Sequence, residues 1–337
     1  MRAFVIDGPG RGGVREVEPP RAEPGLAVVE VERVGLCGTD EELFSGEMSY
    51  FDTGDATYPL RPGHEWCGRV VEVGDGVDPA WLGRRVTGDT MLGDGTCERC
   101  RSGRQHLCAD RYEIGIRRGW PGALAERLPV PATALLPLPD AVDSTLGALV
   151  EPGGNAVRAL RAADVRSGER LLVFGPGAIG CLVALLAEAD HVEVHLVGRS
   201  DDSLAFARSI GFEHVWTDET IPDLPFDAAV DATNAAEVPA RAMELVEPGR
   251  HLSLIGIAAQ PSLIDTRNAV LREVTIAGVL SASGGLADAI DRYASGTVDP
   301  RTVVAATVGL DDVASVLAGE RDSAWGSAPK IHVDPHR

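Results

Sequence analysis

Apolar and polar positions change rhythm about halfway along this chain. In the first half they alternate over short stretches broken by glycine and proline. "LAVVEVERVG" (26–35) and "CGRVVEVGDG" (67–76) show the two-residue period of half-buried strands, and "RRVTGD" and "LAERLPVP" continue it. Pro137, Pro139 and "LPDAVD" then lead into an apolar run compatible with a helix, "STLGALVEPGGNAVRAL". From Arg170 onward, compact apolar runs alternate with helical stretches. The predicted strands are "RLLVFG" (170–175), "VEVHLVG" (192–198), "EHVWT" (213–217), "FDAAVDAT" (226–233), "HLSLIGI" (251–257) and "VTIAGVL" (274–280). The helices between them are "AIGCLVALLAEA", "DSLAFARSI" and "VPARAMELV". Repeated strand–helix–strand units build a parallel sheet with helices on both faces. The pattern predicts an α/β protein with a β-rich first half and a doubly wound domain over 153–284.

Composition narrows the classes. A length of 337 residues suits two domains better than one. The net charge of −20 argues against nucleic acid or an anionic membrane as a partner, because phosphate surfaces attract basic ones. Lys330 is the only lysine; the other basic residues, histidines aside, are arginine, as a GC-rich genome favours and an acidic halophile also shows. No apolar run reaches the roughly 18–20 residues of a membrane span. The opening "MRAFVIDGPG" lacks a signal-peptide layout, so a cytoplasmic location is expected. Cytoplasmic cysteines stay reduced, which leaves this chain's six for metal binding, catalysis or packing.

The first candidate site is "FGPGAIG", where Gly175, Gly177 and Gly180 form G-x-G-x-x-G directly after a strand and at the head of a helix. In that context Gly175 permits a tight turn, Gly177 lets backbone approach a pyrophosphate, and Gly180 lets helix pack on strand. Pro176, Ala178 and Ile179 complete the turn, whose amides and helix dipole attract phosphate. At the end of the second strand, Gly198, Arg199 and Ser200 stand ahead of Asp201 and Asp202. An arginine beside a hydroxyl can hold a 2′-phosphate, which favours NADP over NAD; Asp201 turned back onto an unphosphorylated ribose is the alternative.

The second is a set of metal-ligand types in three pieces: "GLCGTDEELFSG" with Cys37, "PGHEWCG" with His64 and Glu65, and "LVEPGG" with Glu151. Thiolate, imidazole and carboxylate together suit zinc and can leave a position open for substrate. A third piece, "DGTCERCRSGRQHLC", carries Cys97, Cys100 and Cys108.

In this order, G-x-C-G-T-D, G-H-E, a cysteine lobe, E-P and the dinucleotide fingerprint resemble the zinc-dependent medium-chain dehydrogenase/reductase family of alcohol, sorbitol, threonine and glucose dehydrogenases, over essentially the full length. The resemblance implies a GroES-like catalytic domain from residues 1–152 and 285–337, with the lobe at about 90–110, around a Rossmann domain at 153–284. It makes Cys37 and His64 ligands of a catalytic zinc, with Glu65 and Glu151 sharing the remaining coordination and either able to be the ligand. Asp40 would orient the histidine. The family lobe has four cysteines; Asp94 falls where the first belongs, so an aspartate and three cysteines are expected to hold a structural zinc, a metal-free lobe being the alternative. Thr233, Ile257 and Leu280 join the cofactor contacts.

Two details resemble the glucose dehydrogenase branch. Glu42 in "TDEELFSG" stands where many alcohol dehydrogenases carry a relay histidine, and Glu113 in "YEIGI" matches a sugar-contacting glutamate. Ser281 replaces that branch's usual asparagine facing cofactor and substrate, and "EPGGNAV" lacks its bulkier residues. The implied reaction is hydride transfer between an alcohol on a sugar or polyol and NADP, with Thr39 taking the hydroxyl proton towards Glu42 or the cofactor ribose. A cyclitol or aminosugar dehydrogenase is the second reading, since Glu42, Glu47 and Glu113 could meet a substrate amine. An NADP-binding sensor or scaffold is the non-enzymatic one. A homodimer or homotetramer is the expected assembly.

Overall fold

In the computed structural model, which describes residues 1–258 and 260–337, the two rhythms of the sequence become two sheets. An antiparallel hairpin, β1 (Arg2–Gly8) with β2 (Arg11–Glu16), precedes the first sheet. The spine of that sheet is β3 (Leu26–Gly35), followed at once by α1 (Gly38–Ser45) and the single turn α2 (Tyr50–Thr53). β4 (Glu65–Val73) returns antiparallel to β3, and β5 (Arg85–Gly88) follows it outward. A lobe then loops out. It is closed by the paired two-residue strands β6 (Met91–Leu92) and β7 (Tyr112–Glu113), with the turn α3 (Glu98–Arg101) inside. β8 (Arg127–Pro131) pairs with β3, and β9 (Leu135–Pro137) with β5.

The apolar run from Ser144 forms two helices, α4 (Ser144–Ala148) and α5 (Val150–Ala163), with the break at Leu149. Asp143 caps the first by accepting from the Leu146 amide at 2.9 Å.

The second sheet is parallel throughout. Its members are β10 (Arg170–Phe174), β11 (Glu193–Val197), β12 (His214–Trp216), β13 (Phe226–Asp231), β14 (Val246–Leu254) and β15 (Thr275–Gly278). Their spatial order is β12-β11-β10-β13-β14-β15, so the winding reverses between β10 and β13. Crevices for dinucleotides form at such a reversal, beyond the carboxyl ends of the strands. The helices are α6 (Ala178–Ala189), α7 (Asp201–Ser209), α8 (Val238–Leu245) and α9 (Thr266–Leu271). Most predicted strands run a residue or two longer than the observed ones; β10 and β11 stop where Gly175 and Gly198 leave the sheet. β14 instead begins early, at Val246, and bulges through Glu247–Arg250 before pairing resumes at His251.

After Gly285 the chain packs α10 (Leu286–Ala294) onto α5 and then rejoins the first sheet. β16 (Val304–Gly309) lies parallel to β17 (Lys330–Asp334), and α11 (Val313–Leu317) sits between them in sequence. β17 pairs antiparallel with β3, giving the order β16-β17-β3-β4-β5-β9 with β8 on β3. The two glycines of "EPGG" now have a reason. A Cβ on Gly153 would lie 2.1 Å from the Tyr293 hydroxyl, and one on Gly154 would lie 3.0 Å from the Ala282 methyl, so α10 approaches α5 only because both lack one.

Candidate active site

The register of the first sheet assembles the site. Gly35 at the end of β3 pairs with Glu65 at the start of β4 and with His332 of β17. Cys37 is therefore delivered two residues beyond β3, against His64 and Glu65. One donor atom from each of Cys37, His64 and Glu65 lies within 4.8 Å of the others. Gly35 leaves room for that carboxylate: a Cβ would sit 2.1 Å from Glu65 Oε2 and displace it.

Asp40, wholly buried, ties the two ligand loops together. Its Oδ2 accepts from the Cys37 amide at 3.0 Å and its Oδ1 from the Gly63 amide at 3.1 Å. The same Oδ1 stands 3.6 Å from His64 Nδ1, a buried atom with no hydrogen-bond partner. Burial opposes a charge on His64, but the Asp40 carboxylate and the Cys37 thiol outweigh it and hold the imidazole well above its ordinary range. A carboxylate facing the ring nitrogen that does not bind metal is the arrangement that orients a zinc-binding histidine. The sulfur, nitrogen and oxygen donors fit zinc.

The two glutamates left open by the sequence differ. Glu65 gives both carboxylate oxygens to Lys330 Nζ, each at 2.8 Å. Glu151, at the head of α5, is buried and accepts from Asn155 Nδ2 at 2.9 Å. Burial pushes its carboxyl up to about 7, with Glu65 adding to the rise and His64 opposing it. Among the described residues, the close donor cluster contains Glu65 and not Glu151. Lys330 is the member of this site that the motifs missed; its only signal was being the sole lysine.

A cavity of about 1330 Å³ runs from Cys37, the one member of this cluster in its wall, to the glycine-rich turn. Cys37, Thr39, Glu42, Met48 and Tyr50 line one end; Gly175, Pro176, Gly198, Arg199 and Ser200 line the other, with Thr233 and Ile257 between. Thr39 and Glu42 thus lie in the wall beside Cys37, and burial, reinforced by Glu47 and Glu41, raises the Glu42 carboxyl.

The turn behaves as its three glycines predict. Gly175 has φ +93°, and a Cβ on Gly180 would lie 1.9 Å from the Gly175 carbonyl oxygen. A Cβ on Gly177 would meet nothing within 4 Å, which leaves its face open to a ligand. Gly177 caps α6, so Ala178 and Ile179 form the helix's first turn. Arg199 is exposed and pairs with Glu237 at 3.3 Å, while Ser200 caps α7 and places Asp201 and Asp202 in that helix's first turn. Ser203, Asp218, Glu237 and Arg241, unread in the sequence, complete this end of the cavity.

Several expected contacts are not in the cavity wall: Glu151 and, at the glycine-rich turn, Gly177, Ala178, Ile179 and Gly180 lie outside it, and so do Glu113, Leu280 and Ser281. Glu113 does not wall the cavity: its Oε1 accepts from the Tyr50 hydroxyl at 3.1 Å and Arg111 Nε at 2.8 Å, so Tyr50 presents the surface in its place. Leu280 and Ser281 follow β15 and are held through their carbonyls by Arg158 Nη1, outside the cavity wall. Ser281 sits at φ +68°, and its hydroxyl accepts from the Ser283 amide.

In the lobe, donor atoms of Asp94, Cys97, Cys100 and Cys108 all lie within 4.8 Å of one another. Asp94 Oδ1 accepts from the Cys97 and Thr96 amides at 2.9 and 2.7 Å, which hold its carboxyl well below the usual range. A third cluster, Glu193, His195 and His214, meets the same distance criterion but fails chemically. His195 Nδ1 accepts from Trp216 Nε1 at 3.0 Å, so Nε2 carries the proton it donates to Glu193 at 2.9 Å. Neither nitrogen has a lone pair to give, and the ring stacks on His214 instead.

Comparisons with known proteins agree with this geometry. Residues 23–140 match the model of the alcohol dehydrogenase GroES-like domain, and residues 178–295 match that of the zinc-binding dehydrogenase domain. An L-threonine 3-dehydrogenase of Chelativorans sp. strain BNC1 is 30% identical over 291 residues, 83% of each chain. One of Rhizobium rhizogenes is 26% identical over 349 residues, covering 99% of this chain and 98% of its own. A structure from Sinorhizobium meliloti 1021, described as a zinc-binding dehydrogenase bound to NADP, superposes with a TM-score of 0.89 at 26% identity over 99% of both chains.

Proposed function

The chain belongs to the zinc-dependent medium-chain alcohol dehydrogenase family, and on that premise we propose that it interconverts a secondary alcohol of a sugar or polyol and the matching ketone or lactone, with NADP preferred over NAD. The observation that carries the reading is the continuity of one cavity from Cys37, Thr39 and Glu42 to Gly175 and Pro176. Zinc bound at Cys37 and His64 supplies Lewis acidity to an alcohol oxygen, and the nicotinamide of the dinucleotide supplies the hydride acceptor.

The chain's own residues do the rest. Asp40 fixes the His64 ring, and the Thr39 hydroxyl, in the cavity wall, takes the alcohol proton. Glu42, in the cavity wall with its side chain partly open to solvent and its carboxyl raised, receives that proton and releases it to solvent. Ser49, Tyr50 and Glu42 offer hydrogen bonds to further hydroxyls, which is what a polyhydroxylated substrate needs. What supports NADP is that Arg199, Ser200, Ser203 and Arg241 line this end, with Glu237 and Asp218 as the arginines' present partners, whereas Asp201 and Asp202 lie in the first turn of α7 and not in the cavity wall.

A second reading, an amino alcohol such as an aminosugar or aminocyclitol, is supported by the L-threonine 3-dehydrogenases among the relatives and by Glu42 and Glu47 near the mouth. The domain division we adopt is 1–152 with 285–337, and 153–284, with a structural zinc on Asp94, Cys97, Cys100 and Cys108. Leu263, Val270, Leu271 and Ile276 are exposed on or near the outer strand β15, whose free edge can pair with its own copy about a twofold axis. A dimer formed this way should become monomeric in Ile276→Arg, as light scattering would show.

The test of function is a panel of polyols, aldoses, cyclitols, aminosugars and L-threonine assayed by nicotinamide absorbance with both cofactors. Turnover of a hydroxylated substrate with NADP is expected. No turnover of any alcohol by zinc-replete protein would overturn the proposal.

A further inference from the structure

The substrate end of the cavity is walled by a segment that the core holds only lightly. Met48, Ser49 and Tyr50 line it, and Tyr50 opens α2, a single turn with no buried residue. So short a turn is not stable on its own hydrogen bonds, and its position is set by what its side chains reach. Phe51 stacks on Tyr58, ring centres 4.5 Å apart. The ties made by Tyr50 and Asp55 run instead to one stretch, 111–118, which follows the cysteine lobe.

The Tyr50 hydroxyl donates to Glu113 Oε1 at 3.1 Å and accepts from Arg111 Nη2 at 3.2 Å. Arg111 Nε donates to the same Glu113 oxygen at 2.8 Å, so phenol, carboxylate and guanidinium close a triangle. Arg117 lies over the Tyr50 ring, 5.6 Å from its centre, and its Nη2 pairs with Asp55 at 2.9 Å, just beyond α2. Burial, reinforced by Glu113, raises the Tyr50 phenol above its ordinary range, so it keeps the hydrogen that it donates. Glu113 is only 3% exposed, and neither it nor Arg111 nor Arg117 lines the cavity. A ring bonded at its tip and covered on one face cannot swing about its torsions, which gives this wall a set position.

We propose that Glu113 is a positioning residue: acting through Tyr50, it sets the width of the substrate end of the cavity and so limits the size of the alcohol admitted. This rests on the proposed function, which assigns that end to the substrate. Glu113 meets no substrate where it lies, yet it fixes a residue that does.

The test compares the panel substrate of highest kcat/KM with its mono-O-benzyl ether, in full-length wild type, Glu113→Ala and Glu113→Gln. Freeing the ring should raise KM for the parent alcohol and lower it for the bulkier ether. The ratio of their kcat/KM values should move by on the order of tenfold, the worth of one hydrogen bond to a charged group. A purely structural role would weaken both substrates together and leave the ratio alone. Glutamine keeps an acceptor for the phenol and for Arg111, so Glu113→Gln should hold the wild-type ratio. In a Tyr50→Ala background, Glu113→Ala should leave the ratio where Tyr50→Ala alone puts it. Hydrogen exchange of the free protein reads the same tie without substrate. The Ala56 amide, bonded to the Tyr50 carbonyl at 3.0 Å, should exchange on the order of tenfold faster in Glu113→Ala. Should that variant not fold, Tyr50→Phe breaks the tie from its other end, leaves Glu113 on Arg111, and should shift the ratio in the same direction. An unchanged ratio, or unchanged exchange at Ala56, would overturn the proposal. A wild type that turns over nothing would remove the proposed function, while exchange at Ala56 would still decide whether Glu113 holds Tyr50.

Discussion

Two glycines three residues apart should respond to substitution in opposite ways. At Gly180 a new Cβ would fall 1.9 Å from the Gly175 carbonyl oxygen, a backbone atom that cannot rotate aside. The turn must open by about 1 Å, and overpacking of this kind costs about 1–3 kcal/mol. Gly180→Ala should therefore lower both the melting temperature and cofactor affinity. At Gly177 nothing lies within 4 Å and the backbone is extended (φ −83°, ψ −166°) at the cap of α6, a position where aspartate is favourable. Gly177→Asp should keep or raise the melting temperature. Its carboxylate would nevertheless face the pyrophosphate, and like charges about 4 Å apart repel by about 4 kcal/mol near a protein surface, roughly a thousandfold in affinity. Fluorescence titration with NADPH and NADH, beside thermal unfolding of the free protein, measures both effects. A Gly177→Asp variant that bound either cofactor as the wild type does would refute the placement of the dinucleotide over this turn.

Arg199→Asp should shift preference from NADP towards NAD by at least about tenfold, the worth of one charge-assisted hydrogen bond; unchanged ratios of kcat/KM would remove the arginine from the argument. Asp94→Ala should lose one zinc per chain and lower the melting temperature, while Asp94→Cys should retain the metal; equal metal content in all three proteins would exclude Asp94 as a ligand. Asp143→Ala should cost about 1 kcal/mol by uncapping α4. Burial works to raise the Asp143 carboxyl, but the Leu146 amide and Arg301 outweigh it and depress the folded-state value. The stabilisation is thus present above about pH 4, the unfolded carboxylate range, and is lost as pH falls further. The difference in melting temperature between wild type and variant should shrink in acid.

What the sequence made legible is what local rules govern. The helix over 178–189 and the strand over 26–35 match the observed α6 and β3 residue for residue: α6 is an unbroken apolar run between Gly177 and Asp190, and β3 alternates up to Gly35. The bulged start of β14 was hidden by Pro248 and Gly249, which read as a turn. The interval after Gly285 showed no clear period, since β16 and β17 are short and take their meaning from pairing with β3. The same division holds in the site. Cys37, His64 and the lobe residues are tied to motifs of fixed spacing. Tyr50 replacing Glu113 at the cavity wall, and Lys330 reaching Glu65 across 265 residues, are contacts through space that no spacing encodes.

The central claim is that one metal ion at Cys37 and His64 is bound separately from the lobe and is required for turnover. Elemental analysis of wild type and Cys37→Ser, with rates measured on the same samples, tests it directly. We expect two zinc ions per chain in the wild type, one in the variant, and activity lost with the missing ion. A Cys37→Ser protein that kept both ions and its rate would contradict the account.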